Sequence, residues 1–296
     1  MQLTKFSVYE SDRVKKWQEG LKEWDGSISE RMINDRAEDE FWQQYLEKMS
    51  FNSVNDPVVK QLQQELLAFL NPNDSVMEIG PGWGNYTFSI ADYVKELTCM
   101  DCSPSIIRYL QRQSDARSNL KFIEGKWEYE RLTDNYDAVV GINCFYRMHN
   151  IVDGLLNMND SANRLAVIGM STGPEKPHYV ELHRKLGYEI KWRRKEYIDL
   201  LNILYELGIY ADCKLVPITK TVTYETYEDL IKKNSTKVLS KDIDKLETEK
   251  IILQYAKKIN GTYEYTYQYH MAFIYWKPKK NPLSKINGFF LVGIKL

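Results

Sequence analysis

A surplus of charge of either sign is missing from this chain: 40 Lys and Arg stand against 41 Asp and Glu, a formal charge of −1. Proteins that live on nucleic-acid phosphates usually carry a basic excess, so no global electrostatic footprint supports that partner. Long apolar runs are missing too. None approaches the roughly 20 residues that cross a bilayer, and the opening MQLTKFSVYESDRVKKW has no apolar core of the kind a secretion signal needs. Cysteine is scarce; four in 296 residues make no disulfide framework. Without secretion, the sequons at Asn85, Asn159, Asn234 and Asn260 are chance matches. These absences predict a cytoplasmic protein with no membrane partner. What is present is an ordinary globular composition, 43% apolar and 27% charged, which excludes general disorder. The length suits one large domain, or one with a cap, and 21 Tyr and 7 Trp await a role.

The first 70 residues read as helices without a strand signal. Phe41, Trp42, Tyr45 and Leu46 recur at helical spacing. Asp56 and Pro57 make an N-cap and first-turn pair, and Val58, Leu62, Leu66 and Leu70 mark one apolar face before Asn71-Pro72-Asn73-Asp74 stops it. Short β-branched runs follow at Ser75–Ile79, Leu97–Met100, Leu120–Ile123, Asp137–Ile142 and Leu165–Met170, with helix-compatible stretches at about 85–94, 104–115 and 150–160. Alternating β and α elements imply parallel strands with helices on both faces, a doubly wound α/β sheet. Further on, Tyr197–Leu207 reads as a helix closed by Gly208, and Asp212–Tyr224 and Thr262–Trp276 as long strands. The charged segment 225–260 reads as a helical insertion joining an antiparallel pair. The predicted organisation is a helical N-terminal cap at 1–55, a core at 56–224 and 261–280 interrupted by that insertion, and a tail at 281–296. The end of the tail, GFFLVGIKL, is apolar enough to pair as a strand or pack on a partner.

The densest chemical signal is Val76-Met-Glu-Ile-Gly-Pro-Gly-Trp-Gly-Asn-Tyr-Thr87, which follows a strand and opens a helix near Asn85. Gly80, Gly82 and Gly84 allow a sharp turn and close approach of a ligand, and the helix start offers free N–H groups. Asp101 ends the second strand 21 residues after Gly80, where an acid can accept both hydroxyls of a ribose. Glu78 just before the loop argues against a pyrophosphate, since two negative charges would meet. It suits a cationic ligand, such as an ammonium or a sulfonium.

The stretch EIGPGWGNYT resembles the E/D-x-G-x-G-x-G loop of class I S-adenosylmethionine-dependent methyltransferases, and Met100-Asp101-Cys-Ser-Pro-Ser-Ile106 resembles the acidic motif that follows it in that family. The resemblance extends in order over about 50–225, and 262–276 resembles the family's last, antiparallel strand. It implies a Rossmann-like seven-stranded sheet and S-adenosyl-L-methionine as cofactor. It further implies that Glu78 orients the loop and the ligand's amino group, and that Gly80, Pro81, Gly82 and Asn85 surround the amino-acid portion. Asp101 would hold the ribose, with Cys102, Lys126, Trp127 and Glu128 around the adenine. Lys126 stands where the family often has an acid. Asp137-Ala-Val-Val-Gly-Ile-Asn143 resembles the fourth strand, whose end at Asn143 faces the methyl group.

On the acceptor side, Asn143-Cys-Phe-Tyr-Arg-Met-His149 follows that strand at the sheet's open edge. Methyl transfer is an in-line displacement that positioning and desolvation can drive, and a general base is needed only if the acceptor must lose a proton. Tyr146 and His149 are the candidates for it. The segment lacks the Asn/Asp-Pro-Pro-Tyr/Phe pattern of amino-methylating nucleic-acid and protein methyltransferases, which with the neutral net charge argues for a small-molecule acceptor and against nucleic acid. The rival readings are an RNA methyltransferase, suggested by the loop and by the basic Lys191-Trp-Arg-Arg-Lys195 behind Arg184-Lys185, and a non-catalytic protein on the same fold. Cys99 and Cys102 form a C-x-x-C that reads better as packing than as a redox pair. His178 and His183 are five apart with no completing ligand, so no metal is expected. Trp17, Trp24, Trp42 and Tyr45 either close a lid over the acceptor pocket or cover the sheet's edge.

Overall fold

The computed structural model describes residues 8–48, 56–114, 117–130 and 132–279. Five parallel strands come first: β1 (Ser75–Ile79), β2 (Glu96–Asp101), β3 (Leu120–Glu124), β4 (Tyr136–Ile142) and β5 (Ala162–Thr172). Two long strands, β6 (Asp212–Tyr224) and β8 (Thr262–Trp276), complete the path β3-β2-β1-β4-β5-β8-β6. β8 runs antiparallel to both β5 and β6, so β6 points the same way as the first five strands. The central strands are almost wholly buried because helices cover both faces, as parallel pairing requires.

Eleven helices can be delimited among the described residues: α1 (Asp12–Glu19), α2 (Glu30–Ile33), α3 (Asp35–Lys48), α4 (Pro57–Leu67), α5 (Thr87–Ala91), α6 (Pro104–Gln113), α7 (Ile151–Ser161), α8 (Pro177–Leu186), α9 (Tyr197–Glu206), α10 (Tyr227–Asn234) and α11 (Lys245–Leu253). On one face, Leu62 and Leu66 of α4 and Ile90 of α5 pack against Val76, Leu97, Val140 and Phe273. On the other, Trp17 of α1, α7 and α9 close over Met77, Val139, Ile168 and Ile274. Asp56 caps α4 as its sequence predicts, accepting from Val58 N at 2.8 Å.

Two elements depart from the sequence reading. The insertion holds helices α10 and α11 but ends in a strand, β7 (Ala256–Ile259), which pairs with the start of β8 and brings the sheet to eight strands. The turn between them is Asn260-Gly261, with φ of 50° and 90°, the left-handed pair that a two-residue hairpin selects. Helix α8 was not anticipated. Pro177 sits in its first turn and Gly187 closes it at φ 67°. α5 is also shorter than the 85–94 expected, spanning Thr87–Ala91. The apolar tail lies outside the described residues.

Candidate functional site

β1 and β2 end side by side, with Glu78 paired to Cys99 and Ile79 to Met100, and this register fixes the site. Beyond β1 the chain turns through Gly80 at φ 60° and Gly82 at φ 55°. A Cβ on Gly80 would lie 2.6 Å from the Cys144 Cβ, so the loop can pass under the end of β4 only as glycine. At Gly82 the nearest atom to an added Cβ is Trp42 at 3.8 Å, which leaves the backbone open to a ligand.

The two carboxylates behind and beside the loop are buried. Glu78 is 2% exposed; Thr87 Oγ1 donates to its Oε2 at 2.7 Å, and the Cys99 thiol approaches the same oxygen at 3.5 Å. Burial, reinforced by the charge of Asp101, raises its pKa to about 7. Asp101 accepts from Ser103 N at 2.9 Å and faces the Gly82 and Cys102 amides, yet burial lifts it to about 6. Both therefore sit where a cationic, hydroxyl-donating ligand would relieve them.

These groups wall one cavity of about 270 Å³. It brings together Glu78, Gly80, Pro81, Gly82, Asn85, Asp101, Cys102, Lys126, Trp127, Glu128, Asn143 and Tyr146. Trp127 is core as well as lining: it is 3% exposed and donates from Nε1 to the Gly154 carbonyl at 2.9 Å. Asn143 takes a left-handed φ of 54°, and its Oδ1 accepts from Ser171 N at 2.8 Å, tying the end of β4 to β5. His149 is not brought to this cavity. It lies exposed, 3.4 Å from Asn150 Oδ1, two residues beyond the Phe145–Arg147 segment that sets Tyr146 at the cavity mouth. Cys99 and Cys102 are free, and burial pushes both thiols up, Cys102 to about 12, the reverse of a reactive pair.

Of the roof, sequence reasoning offered Trp42 and Tyr45 as part of a lid but did not name Arg31, Met32, Asp35 or Glu38. Arg31, Met32, Asp35, Glu38 and Trp42 of α2 and α3 line the cavity from above. Glu38 is buried and takes four hydrogen bonds: two from Arg31 (2.6 and 3.0 Å), one from Trp42 Nε1 (2.8 Å) and one from Arg147 (3.1 Å). Asp39 reaches the start of α6, accepting from Ser103 Oγ at 2.6 Å and Ser105 N at 2.7 Å. Asp35 pairs with Lys126. Trp42 and Tyr45 pack on Trp83 of the glycine loop, with centroids 5.9 and 5.2 Å away. Of the four aromatics considered as a lid, Trp42 and Tyr45 cover the glycine loop, while Trp17 is core and donates to the Met148 carbonyl at 3.0 Å. Trp24 is surface, under Arg194 at 4.6 Å. An acid-rich amphipathic helix with Trp42 was visible in the sequence; its seat over Asp101 was not.

The basic run is largely occupied by its own fold. Arg193 pairs with Glu175 at 3.3 Å and donates to the Ser171 carbonyl at 2.9 Å, Arg194 donates to the Lys22 carbonyl, and Trp192 packs with Tyr188 and Ile190. Lys195 is pushed down to about 8 by burial and by Arg194 and Arg147.

Residues 76–161 match the family profile of a methyltransferase domain. This match places a methyltransferase domain at residues 76–161 and speaks for no residue outside them. Two curated proteins are similar to parts of it. One is a ribosomal RNA small subunit methyltransferase A from Wigglesworthia glossinidia brevipalpis, 28% identical over 26% of this chain and 30% of that protein. The other is a probable protein of that name from Methanosarcina mazei, 36% identical over 20% of this chain and 21% of that one. The chain thus spans about a third or less of the curated relatives it matches. Among solved structures, a candidate methyltransferase from Bacillus halodurans shares the fold, with a TM-score of 0.51 at 16% identity over 75% of this chain and 99% of that one. The methyltransferase domain accounts for the loop, β2 and the end of β4. It does not extend to the roof or to anything beyond α7.

Proposed function

We propose that the whole chain is an S-adenosylmethionine-dependent methyltransferase acting on a small-molecule acceptor. The observation that carries this reading is the convergence of Glu78, the Gly80–Gly82 turn and Asp101 on one roofed cavity. S-adenosylmethionine, when bound, supplies an electrophilic methyl group on a sulfonium. Asp101 would take the ribose hydroxyls, Gly80 and Gly82 the amino-acid portion, Glu78 the positive end, and Lys126, Trp127 and Glu128 the base. Helix α3 excludes water, which suits a reaction that must spare its donor from solvent. Asn143, held by Ser171, and Tyr146, 41% exposed at the mouth, stand where an acceptor enters. Tyr146 can accept or pass on a proton if the acceptor must lose one.

A small acceptor is supported by the neutral net charge, by the roof, and by the consumption of Arg193, Arg194 and Trp192 inside the fold. The curated relatives' printed names favour the second reading, an RNA acceptor. Incubation with methyl-labelled S-adenosylmethionine, a small-molecule cell extract and purified ribosomal RNA separates them. Label in the low-mass fraction, with none in RNA, is expected; label in RNA alone would overturn the small-molecule assignment.

A further inference from the structure

Above the last β5 pairing, Thr172 with His270, strand β8 continues without β5. Tyr269 and Tyr267 lie on this free stretch, held from one side by Ile218 and Lys220 of β6. Their rings stack at 5.9 Å and 27°, and both remain half-buried rather than covered. Below them Tyr269 joins the cluster that contains Tyr86, and Tyr86 lines the cofactor cavity. Above them the Lys176 ammonium stands 4.9 Å from the Tyr267 ring centre and 5.2 Å from that of Tyr265.

Lys176 is an unusual cation. It is half-buried, donates to Asn234 Oδ1 at 2.9 Å, and has no carboxylate within ion-pair distance among the described residues. Burial and the neighbouring Lys237 hold its pKa down, so an anion at this place would be welcome. The platform is rigidly built. His178 is fully buried, its Nε2 bonds the Asn234 carbonyl at 2.9 Å, and its Nδ1 meets the Tyr265 hydroxyl at 2.6 Å. A carbonyl only accepts, so Nε2 carries the proton and Nδ1 receives one from Tyr265. Ser171 links this region to the reaction centre: its N–H reaches Asn143 Oδ1 and its carbonyl receives Arg193.

We propose that Tyr267 and Tyr269 with Lys176 form the acceptor subsite, and that it takes a planar aromatic molecule bearing a carboxylate or phosphate. A flat ring offers its face to the stacked phenols, and its anionic group meets the ammonium in a charge-assisted bond. The subsite rests on the methyltransferase reading, since its link to the cavity through Tyr86 and Asn143 is what makes its occupant an acceptor.

The test is calorimetry on the full chain saturated with S-adenosylhomocysteine, titrated with 4-hydroxybenzoate, phenyl phosphate, 4-hydroxybenzamide and cyclohexanecarboxylate. The two planar anions should bind roughly tenfold tighter than the neutral amide or the non-planar acid, as loss of one charged contact or of stacking implies. Lys176→Gln should erase the preference for charge, and Tyr267→Leu the preference for planarity, with S-adenosylhomocysteine affinity unchanged in both. Equal binding of amide and acid, no binding of any planar anion, or a preference that survives Lys176→Gln would overturn the subsite. Failure of S-adenosylhomocysteine itself to bind would instead overturn the methyltransferase reading.

Discussion

The two halves of this molecule are held in order by different means. Around β1, β2 and β4 the backbone does the organising: left-handed glycines, a left-handed Asn143, and buried carboxylates kept above their ordinary pKa. Around α8, α10 and the free end of β8, side chains do it, through a buried neutral histidine, a tyrosine row and a lysine bonded to Asn234. Backbone geometry suits a ligand whose shape never changes, whereas a side-chain surface can be respecified residue by residue. The contrast teaches that the first region is built for an invariant donor and the second for a particular acceptor.

Four perturbations sharpen or break that contrast. The largest effect belongs to Gly80→Ala, which meets both a φ of 60° and a Cβ 2.6 Å from that of Cys144. We expect about 3 kcal/mol of lost stability or loss of the folded loop, read by thermal unfolding; a stable variant would show the loop is looser than drawn. Next comes mild acid on the C-terminal half. His178 is pushed down to about 3 by burial, so it is neutral in the fold while its unfolded counterpart titrates at the usual 6.5. The stability it contributes is complete above about 6.5 and lost as pH falls towards 3, about 2 kcal/mol by pH 5. Protection of α10 and β8 amides, followed by hydrogen exchange, should fall over this window, and His178→Phe should flatten the pH slope.

The glycine-loop half responds with the opposite sign. Glu78 is raised to about 7, so between about 4.5 and 7 the folded state holds a proton that the unfolded state has released. The ligand-free protein should lose stability as pH rises through that window, and Glu78→Gln should remove the slope and gain about 1 kcal/mol at neutral pH while weakening the cofactor. A steeper slope in Glu78→Gln would contradict the assignment. The smallest effect is expected from Lys191→Gln, within about 0.5 kcal/mol of the wild type in denaturant unfolding and without effect on RNA retention. Marked loss of RNA binding would revive the nucleic-acid reading.

The same contrast explains what could be read from the chain. Glu78, the three loop glycines and Asp101 announce themselves because residue type and spacing are dictated by backbone turns, and the structure gathers Glu78, Gly80, Gly82 and Asp101 with Asn143 and Tyr146 on one cavity. Strands Ser75–Ile79, Asp212–Tyr224 and Thr262–Trp276 have the bounds expected of them, the last from its alternating tyrosines. β7 was legible and overlooked: Asn260-Gly261 is a hairpin signal hidden in a charged, helix-like segment. Helix α8 likewise had Pro177 and Gly187 as its bounds. Of the roof, Trp42 and Tyr45 were legible as a possible lid, whereas the long-range bonds of Glu38 to Arg147 and of Asp39 to Ser105, spanning 109 and 66 positions, were not, because no local pattern marks such pairings. His149, one position past the cavity wall, shows how little a residue type says when the turn that aims it is unknown.

The most direct test of the account is calorimetric titration of S-adenosylhomocysteine into the wild type and Asp101→Ala. A single site in the wild type, weakened roughly a hundredfold by removing an acceptor of two hydroxyl hydrogen bonds, is the predicted result. Absence of binding to the wild type, or equal affinity in the two proteins, would contradict it.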